Sequence, residues 1–312
     1  MPLSSIKQNL ASIKTINLTS ERAGMIYIIA AGCIWGFGGV VGQYIMQYKH
    51  IDAAWIIGVR LWLPGLLLLS LCYRKHKSAI FNPLKNPQEL MLLIIFSVVG
   101  MMASQLFYFL TIKYSNAATA TILQYLYPVI IAIILAIYLR KRPSIYVIIA
   151  IILAITGAFC LVTDGSIDKI TLPAKAIVYG SICVIGSVTY TLLPIPLLKK
   201  YNTTTIAGWG MFIGGIILNF FHPFWQFSGI LDFTAILSII FIIFATGMLA
   251  FLLYLIGVKI LGSSKGSILA TIEPLAAAFS SVLFLNVKFS WVDWFGAACI
   301  IAMIVILAKN KV

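Results

Sequence analysis

Residues 100–128 read GMMASQLFYFLTIKYSNAATATILQYLYP, and residues 247–274 read GMLAFLLYLIGVKILGSSKGSILATIEP. Each opens on a short glycine–methionine phrase, Gly100 to Ala103 and Gly247 to Ala250, and runs through a tyrosine, Tyr108 or Tyr254. A break of small residues follows, Ser115-Asn116-Ala117-Ala118 in one and Gly262-Ser263-Ser264 in the other. The helix after each break carries a proline, Pro128 or Pro274, 146 residues apart; at that offset Ile122-Leu123 falls on Ile268-Leu269 and Ala132 on Ala278. Shared letters in apolar helices arise easily by chance, so the repeat must be tested against a second signal, the charge of the loops.

The surrounding chain sets the scale. Of 312 residues, 62% are hydrophobic and 10% charged, with a mean hydropathy of +1.05. Soluble domains average about 45–50% apolar and about 25% charged residues. A helix of ~20 apolar residues crosses ~30 Å of hydrocarbon, and such stretches recur at 24–46, 54–73, 90–110, 117–139, 145–163, 174–197, 205–226, 233–258, 266–286 and 291–308. The expected fold is an all-α integral membrane protein with ten transmembrane helices, multi-pass in the cell membrane, with the lipid bilayer as its solvent.

Placing the N-terminus inside puts 16 of the 22 Lys and Arg residues in cytoplasmic segments, among them Arg74, Lys75, Arg140, Lys141, Arg142, Lys199 and Lys200. Five lie outside (Lys49, Lys113, Lys169, Lys175, Lys288) and Arg60 lies within a span. Cytoplasmic loops collect the basic residues, so both termini are expected to be cytoplasmic. The net charge of +14 thus reports topology and implies no nucleic acid. The loop after the fourth span carries Arg140, Lys141 and Arg142, while its counterpart after the ninth carries Lys288 alone. Halves of five spans each enter the membrane in opposite directions, and matching loops must then differ in charge. The chain divides into a tail (1–23), a five-helix repeat (24–163), a linker loop (164–173) containing Gly165 and Ser166, an inverted five-helix repeat (174–308) and a short tail (309–312). Ile6, Leu10 and Ile13 recur at helical spacing beside Lys7 and Lys14, which suits an interfacial helix as well as it does a disordered tail.

Inverted repeats are a hallmark of secondary transporters, whose sites lie near the midplane where helices are interrupted. Pro128 and Pro274 each remove a backbone hydrogen bond, freeing the carbonyls of Gln124 and Ala270; a packing kink is the plainer reading. Of eight acidic residues, only Glu273 lies deep in a span, about nine residues or roughly 13 Å into the ninth. A carboxylate there acts as a proton carrier, so that protons are the candidate coupling ion, or as the counter-ion of a substrate ammonium; the alternative is a structural pair. Arg60 sits roughly 10 Å from the outer surface, within reach of Glu273 or a substrate carboxylate, or free to snorkel outward. Trp35, Gly39 and Gln43 share one face of the first span, Gln105 and Tyr108 one face of the third; Ser187 with Tyr190, and Thr246 with Tyr254, do so in the sixth and eighth. Such faces suit a cavity for a polar metabolite, and singly they suit helix packing. The candidate substrate-binding set is therefore Trp35, Gln43, Arg60, Gln105, Tyr108, Gln124, Tyr190, Tyr254 and Glu273. Gly32/Gly36, Gly38/Gly42 and Gly210/Gly214, each four apart, read as close helix packing or dimerisation.

This pattern resembles the drug/metabolite transporter superfamily, in particular its EamA-type members, over roughly residues 24–308. The resemblance rests on the ten-span layout in two halves, on Trp35-Gly36 and Arg60, and above all on Gly262-Ser-Ser-Lys-Gly266…Glu273-Pro274 followed by Ala276, Ala277 and Ala278. It implies a central cavity between the halves, alternating access, and transport, often export, of amino acids or related small metabolites. EamA-type halves commonly carry a glutamate just after the proline-containing helix; here Leu139-Arg-Lys-Arg-Pro143 and Leu285-Asn-Val-Lys-Phe289 have none.

Competing classes fare worse on the residues. The cysteines (Cys33, Cys72, Cys160, Cys183, Cys299) form no CxxC pair and the histidines (His50, His76, His222) do not pair at helical spacing, so neither a metal nor another cofactor is expected. No span offers two carboxylates or a serine with an intramembrane histidine, which argues against a membrane-embedded enzyme, and a channel leaves the inverted halves without a purpose. No GxxxxGK[ST] loop is present to bind ATP. The expectation is a secondary transporter of amino acids or related small metabolites, with quaternary amines or cationic drugs as the alternative substrates.

Overall fold

A computed structural model describes residues 21–138, 144–165, 171–261, 269–270 and 272–309. The Gly262–Gly266 motif, Arg140–Arg142, the centre of the linker and residues 1–20 lie outside the described residues. Among the described residues all regular structure is helical.

Among the described residues, seven helices are long and apolar enough to cross a membrane. They are α1 (Glu21–Gln47), α2 (Ala53–His76, continuing in short turns to Lys85), α3 (Pro87–Tyr114), α5 (Ile145–Thr163), α6 (Ala174–Lys200), α7 (Thr203–Phe221) and α8 (Phe233–Val258). Three further apolar helices complete the described elements: α4 (Ala117–Gln124 and Tyr127–Tyr138), α9 (Ile272–Leu285) and α10 (Trp291–Lys309, with its shorter apolar run over Trp291–Ile306). They occupy the places read from sequence as the fourth, ninth and tenth spans.

Polar side chains start these helices by accepting from otherwise unpaired first-turn amides. Asp52 takes the amides of Ala54 and Trp55, Asn86 those of Gln88 and Glu89, and Asp232 that of Ala235. In α4 the cap is Asn116, which accepts from Thr119 N, so the small-residue break singled out at 115–118 is a helix start. The helix then stops at Gln124 and resumes at Tyr127. Pro128 accounts for the interruption, because it cannot donate to the carbonyl of Gln124 and its ring crowds that carbonyl.

Helices α3 and α8 share a second irregularity. Phe96–Met102 in α3 and Phe241–Leu249 in α8 are wound as π-helix, each spanning its glycine–methionine phrase. Such wide turns are frequent at functional sites. Local winding thus repeats where the letters barely do.

The most extensive helix contacts come in exchanged pairs. Helix α2 packs on α7 and α5 on α10; α1 on α9 is matched by α6 on α4, α3 on α6 by α8 on α1, and α3 on α7 by α8 on α2. Interchanging each helix with the one five places along maps this set onto itself, as a two-fold relation would. The glycine pairs serve this packing. A Cβ on Gly36 would lie 2.6 Å from the Glu273 carbonyl oxygen, so α1 and α9 meet backbone to backbone there. Gly38 and Gly42 receive Thr246 and Phe109, and Gly210 and Gly214 receive Phe96 and the Ser97 carbonyl. At the end of α5, Asp164 and Gly165 take left-handed backbone (φ 50° and 77°), and Asp164 is tied to Ser290 at the foot of α10.

Candidate functional site

A cavity of about 200 Å³ lies at the centre of the bundle, lined from α1, α2, α3, α4, α6, α7 and α8, by Ala270, and by Glu273 of α9. Eight of the nine candidate binding residues line it: Trp35, Arg60, Gln105, Tyr108, Gln124, Tyr190, Tyr254 and Glu273. Residues 150 or more positions apart in the chain thus reach one chamber.

Gln43 does not line it. It is buried, with 4% of its surface exposed, and its Oε1 accepts from Ala117 N at 2.8 Å while its amide donates to Gln47. Spacing of four and eight residues put it on the face of Trp35, yet eight residues also raise it by about 12 Å along the axis. It joins α1 to the start of α4.

Several lining groups are already committed to the bundle. Trp35 Nε1 donates to the Thr246 carbonyl at 2.9 Å, and its ring tilts against Tyr254 with centroids 5.4 Å apart. Gln124 donates to Ser187 Oγ at 3.2 Å, and the Tyr108 hydroxyl pairs with Thr121 at 2.7 Å. Tyr190 stacks on Phe96 at 5.8 Å. These bonds fix the wall.

The two charged residues remain. Arg60 lies over the Phe109 ring, 5.5 Å from its centroid, and its buried Nε has no hydrogen-bond partner. An Arg60–Glu273 ion pair, one of the readings open in the sequence, is not formed: among the described residues the ion pairs are Lys49–Asp232 and Lys200–Glu89, and His222 Nε2 lies 3.5 Å from the Asp52 carboxylate. Glu273 instead accepts or shares a hydrogen bond with the Tyr125 hydroxyl at 2.8 Å, and the same hydroxyl donates to Ala270 O at 3.0 Å. The carbonyl freed by Pro274 is therefore satisfied across the chamber by α4. Pro128 and Pro274 do not line the cavity; they act through the carbonyls of Gln124 and Ala270, to which they have no N–H to donate.

Sequence reasoning passed over Tyr125 and Tyr127, which line the chamber with their rings 6.1 Å apart. Ser104, Phe109, Met211 and Phe251 were passed over too. A signal existed for the tyrosines: they flank the break that Pro128 imposes, where the helix face is no longer given by a 3.6-residue period.

An apolar helical bundle with a central chamber that holds an arginine and a glutamate that do not pair has the architecture of a multi-pass membrane protein. The sequence comparisons name the class. The EamA-like transporter family matches residues 22–163 and 174–309, and the chain belongs to that family. It is 36% identical over 295 residues to the uncharacterized inner membrane transporter YicL of Salmonella typhimurium, covering 94% of this chain and 97% of that protein. It is 24% identical over 304 residues to the uncharacterized transporter YetK of Bacillus subtilis, covering 93% and 88%. A solved structure titled only as the crystal structure of a protein superposes with a TM-score of 0.61 at 14% identity, covering 92% of this chain and 96% of that one, a likeness of fold alone.

Proposed function

We propose that the protein is a secondary transporter that moves an amino acid or a related small metabolite across the cell membrane, with net export, by alternating access around the central chamber. In this reading ten helices cross the bilayer as two inverted five-helix repeats, residues 24–163 and 174–308, with both termini cytoplasmic. The exchanged helix contacts and the paired π-helical turns support the two-fold relation.

The observation that carries the proposal is the buried Arg60 Nε in the chamber wall, a donor without a hydrogen-bond partner. A buried donor without a partner is costly, and a solute carboxylate relieves that cost through bidentate bonds. Glu273 and the tyrosine wall are suited to an ammonium or an apolar side chain. A chamber of about 200 Å³ falls below the roughly 300–1,000 Å³ usual for drug-sized ligands, which favours an amino-acid-sized solute over a bulky cationic drug.

The test is exchange across proteoliposomes loaded with a mixed metabolite pool and read by mass spectrometry. Selective loss of a few compounds through the wild type is expected, with Arg60→Gln lowering the apparent affinity for those that carry a carboxylate about tenfold or more, as expected for loss of a charged hydrogen bond. Unchanged exchange by folded Arg60→Gln would remove the guanidinium from the site, and a wild type that moves nothing under several pH gradients would remove the transport reading.

A further inference from the structure

The Tyr125 hydroxyl has one proton and faces two acceptors, Ala270 O at 3.0 Å and Glu273 Oε2 at 2.8 Å. A phenol donates once. If Glu273 is ionised, the proton goes to the carboxylate, the stronger acceptor, and the Ala270 carbonyl loses its partner. The regular i+4 partner of that carbonyl is absent, since Pro274 has no N–H to offer. If Glu273 is protonated, the chain closes: Glu273 O–H donates to Tyr125 Oη, and Tyr125 O–H donates to Ala270 O. Every donor and acceptor is then used.

The structure points to a proton site shared between α4 and α9, and we infer that Glu273 carries a proton in this conformation, which Tyr125 reads by holding the proline-freed carbonyl of Ala270. This deepens the transporter reading and rests on it for its role, because the residues joined lie on opposite halves of the chain. Taking up a proton from water in the chamber fastens α4 to the α9 start; giving it back redirects the phenol to the carboxylate and leaves the Ala270 carbonyl to water or solute. Around Glu273 stand Tyr125 and Tyr127 of the α4 region, Tyr108 of α3, Tyr254 of α8, Cys183 of α6 and Arg60 of α2. Arg60 is the one fixed charge among them, and it does not pair with Glu273.

Infrared difference spectroscopy of the full-length protein in lipid vesicles, titrated with acid and base, reads the protonated carboxyl directly. In the wild type a carboxylic-acid C=O band is expected at neutral pH. It should be absent in Glu273→Gln, and in Tyr125→Phe it should move to higher frequency as the carboxyl loses its hydrogen-bond acceptor. Glu273→Gln keeps an N–H toward Tyr125 and cannot titrate, so its exchange activity should lose the pH dependence of the wild type. A wild-type spectrum without a band that Glu273→Gln removes, or a band unmoved by Tyr125→Phe, overturns the inference. The spectral arm uses no solute: bands as expected with no compound exchanged would leave the proton site standing and refute transport, whereas exchange without the band would do the reverse.

Discussion

Substituting Gly36 by alanine tests whether the two halves are held together by backbone contact between α1 and α9. The added Cβ would lie 2.6 Å from Glu273 O, 2.8 Å from Ala277 N and 2.8 Å from Ala276 Cβ. Ordinary contact begins at about 3.4 Å, so the helices must part by about 0.6–0.8 Å. Two of the three atoms are backbone and cannot swing aside. Overpacking of this kind costs about 1–3 kcal/mol, partly offset by up to ~1 kcal/mol of helix propensity gained in replacing glycine. Gly180→Ala supplies the control: its Cβ meets Leu123 Cδ1 at 3.4 Å and Thr111 Cγ2 at 3.7 Å, so it receives the propensity gain without the clash. The difference between the two variants isolates the clash. Thermal unfolding is followed by a thiol-reactive dye, because Cys72, Cys160, Cys183 and Cys299 are buried and free while Cys33 gives a constant background. Gly36→Ala should melt well below Gly180→Ala. If it melts with Gly180→Ala or above it, the α1–α9 approach does not hold the bundle together and the reasoning fails.

Two further outcomes follow from single contacts. Trp35→Phe keeps an aromatic wall beside Tyr254 but loses the bond to Thr246 O, so stability should fall by about 0.5–1.5 kcal/mol; an unchanged melting profile would count against that bond. Lys49, at 2.5 Å, holds the Asp232 carboxyl well below the usual aspartate range, with the Ala235 amide adding to the effect. A depressed carboxyl contributes its stabilisation fully above the ordinary value of about 3.9, losing it only as pH falls through the lower folded value. Hydrogen exchange at the start of α8 should therefore be slow at both pH 7 and about pH 4 in the wild type and faster in Asp232→Asn; opening of the wild type above pH 4 would contradict the pairing.

Much of the molecule was legible in the letters because lipid simplifies the code. Long apolar runs can only be helices in a bilayer, and Pro128 announces the interruption of α4. Glu273 was legible because depth in a span follows from residue count alone. What spacing could not give was depth of reach and choice of partner. Gln43 shares a face with Trp35 yet rises past the chamber to Ala117. Arg60 and Glu273, opposite in charge and both in the membrane, invite pairing on paper, while in the fold a tyrosine 148 positions from Glu273 takes the contact. Tyr125 and Tyr127 look like ordinary aromatics of an apolar helix until the break at Pro128 turns them inward, a consequence of geometry that no local period encodes.

The π-helical turns at Phe96–Met102 and Phe241–Leu249 bear on how this family should be mapped by labelling. A helical wheel drawn for α3 or α8 advances 100° per residue throughout, but each widened turn holds extra backbone and delays the phase of everything beyond it. Cysteine-accessibility stripes should therefore shift sideways near Gly100 and again near Gly247. Faces assigned by counting from one end of either helix will be rotated from those counted from the other, and an alignment that closes a one-residue gap there would turn everything beyond it by about 100°.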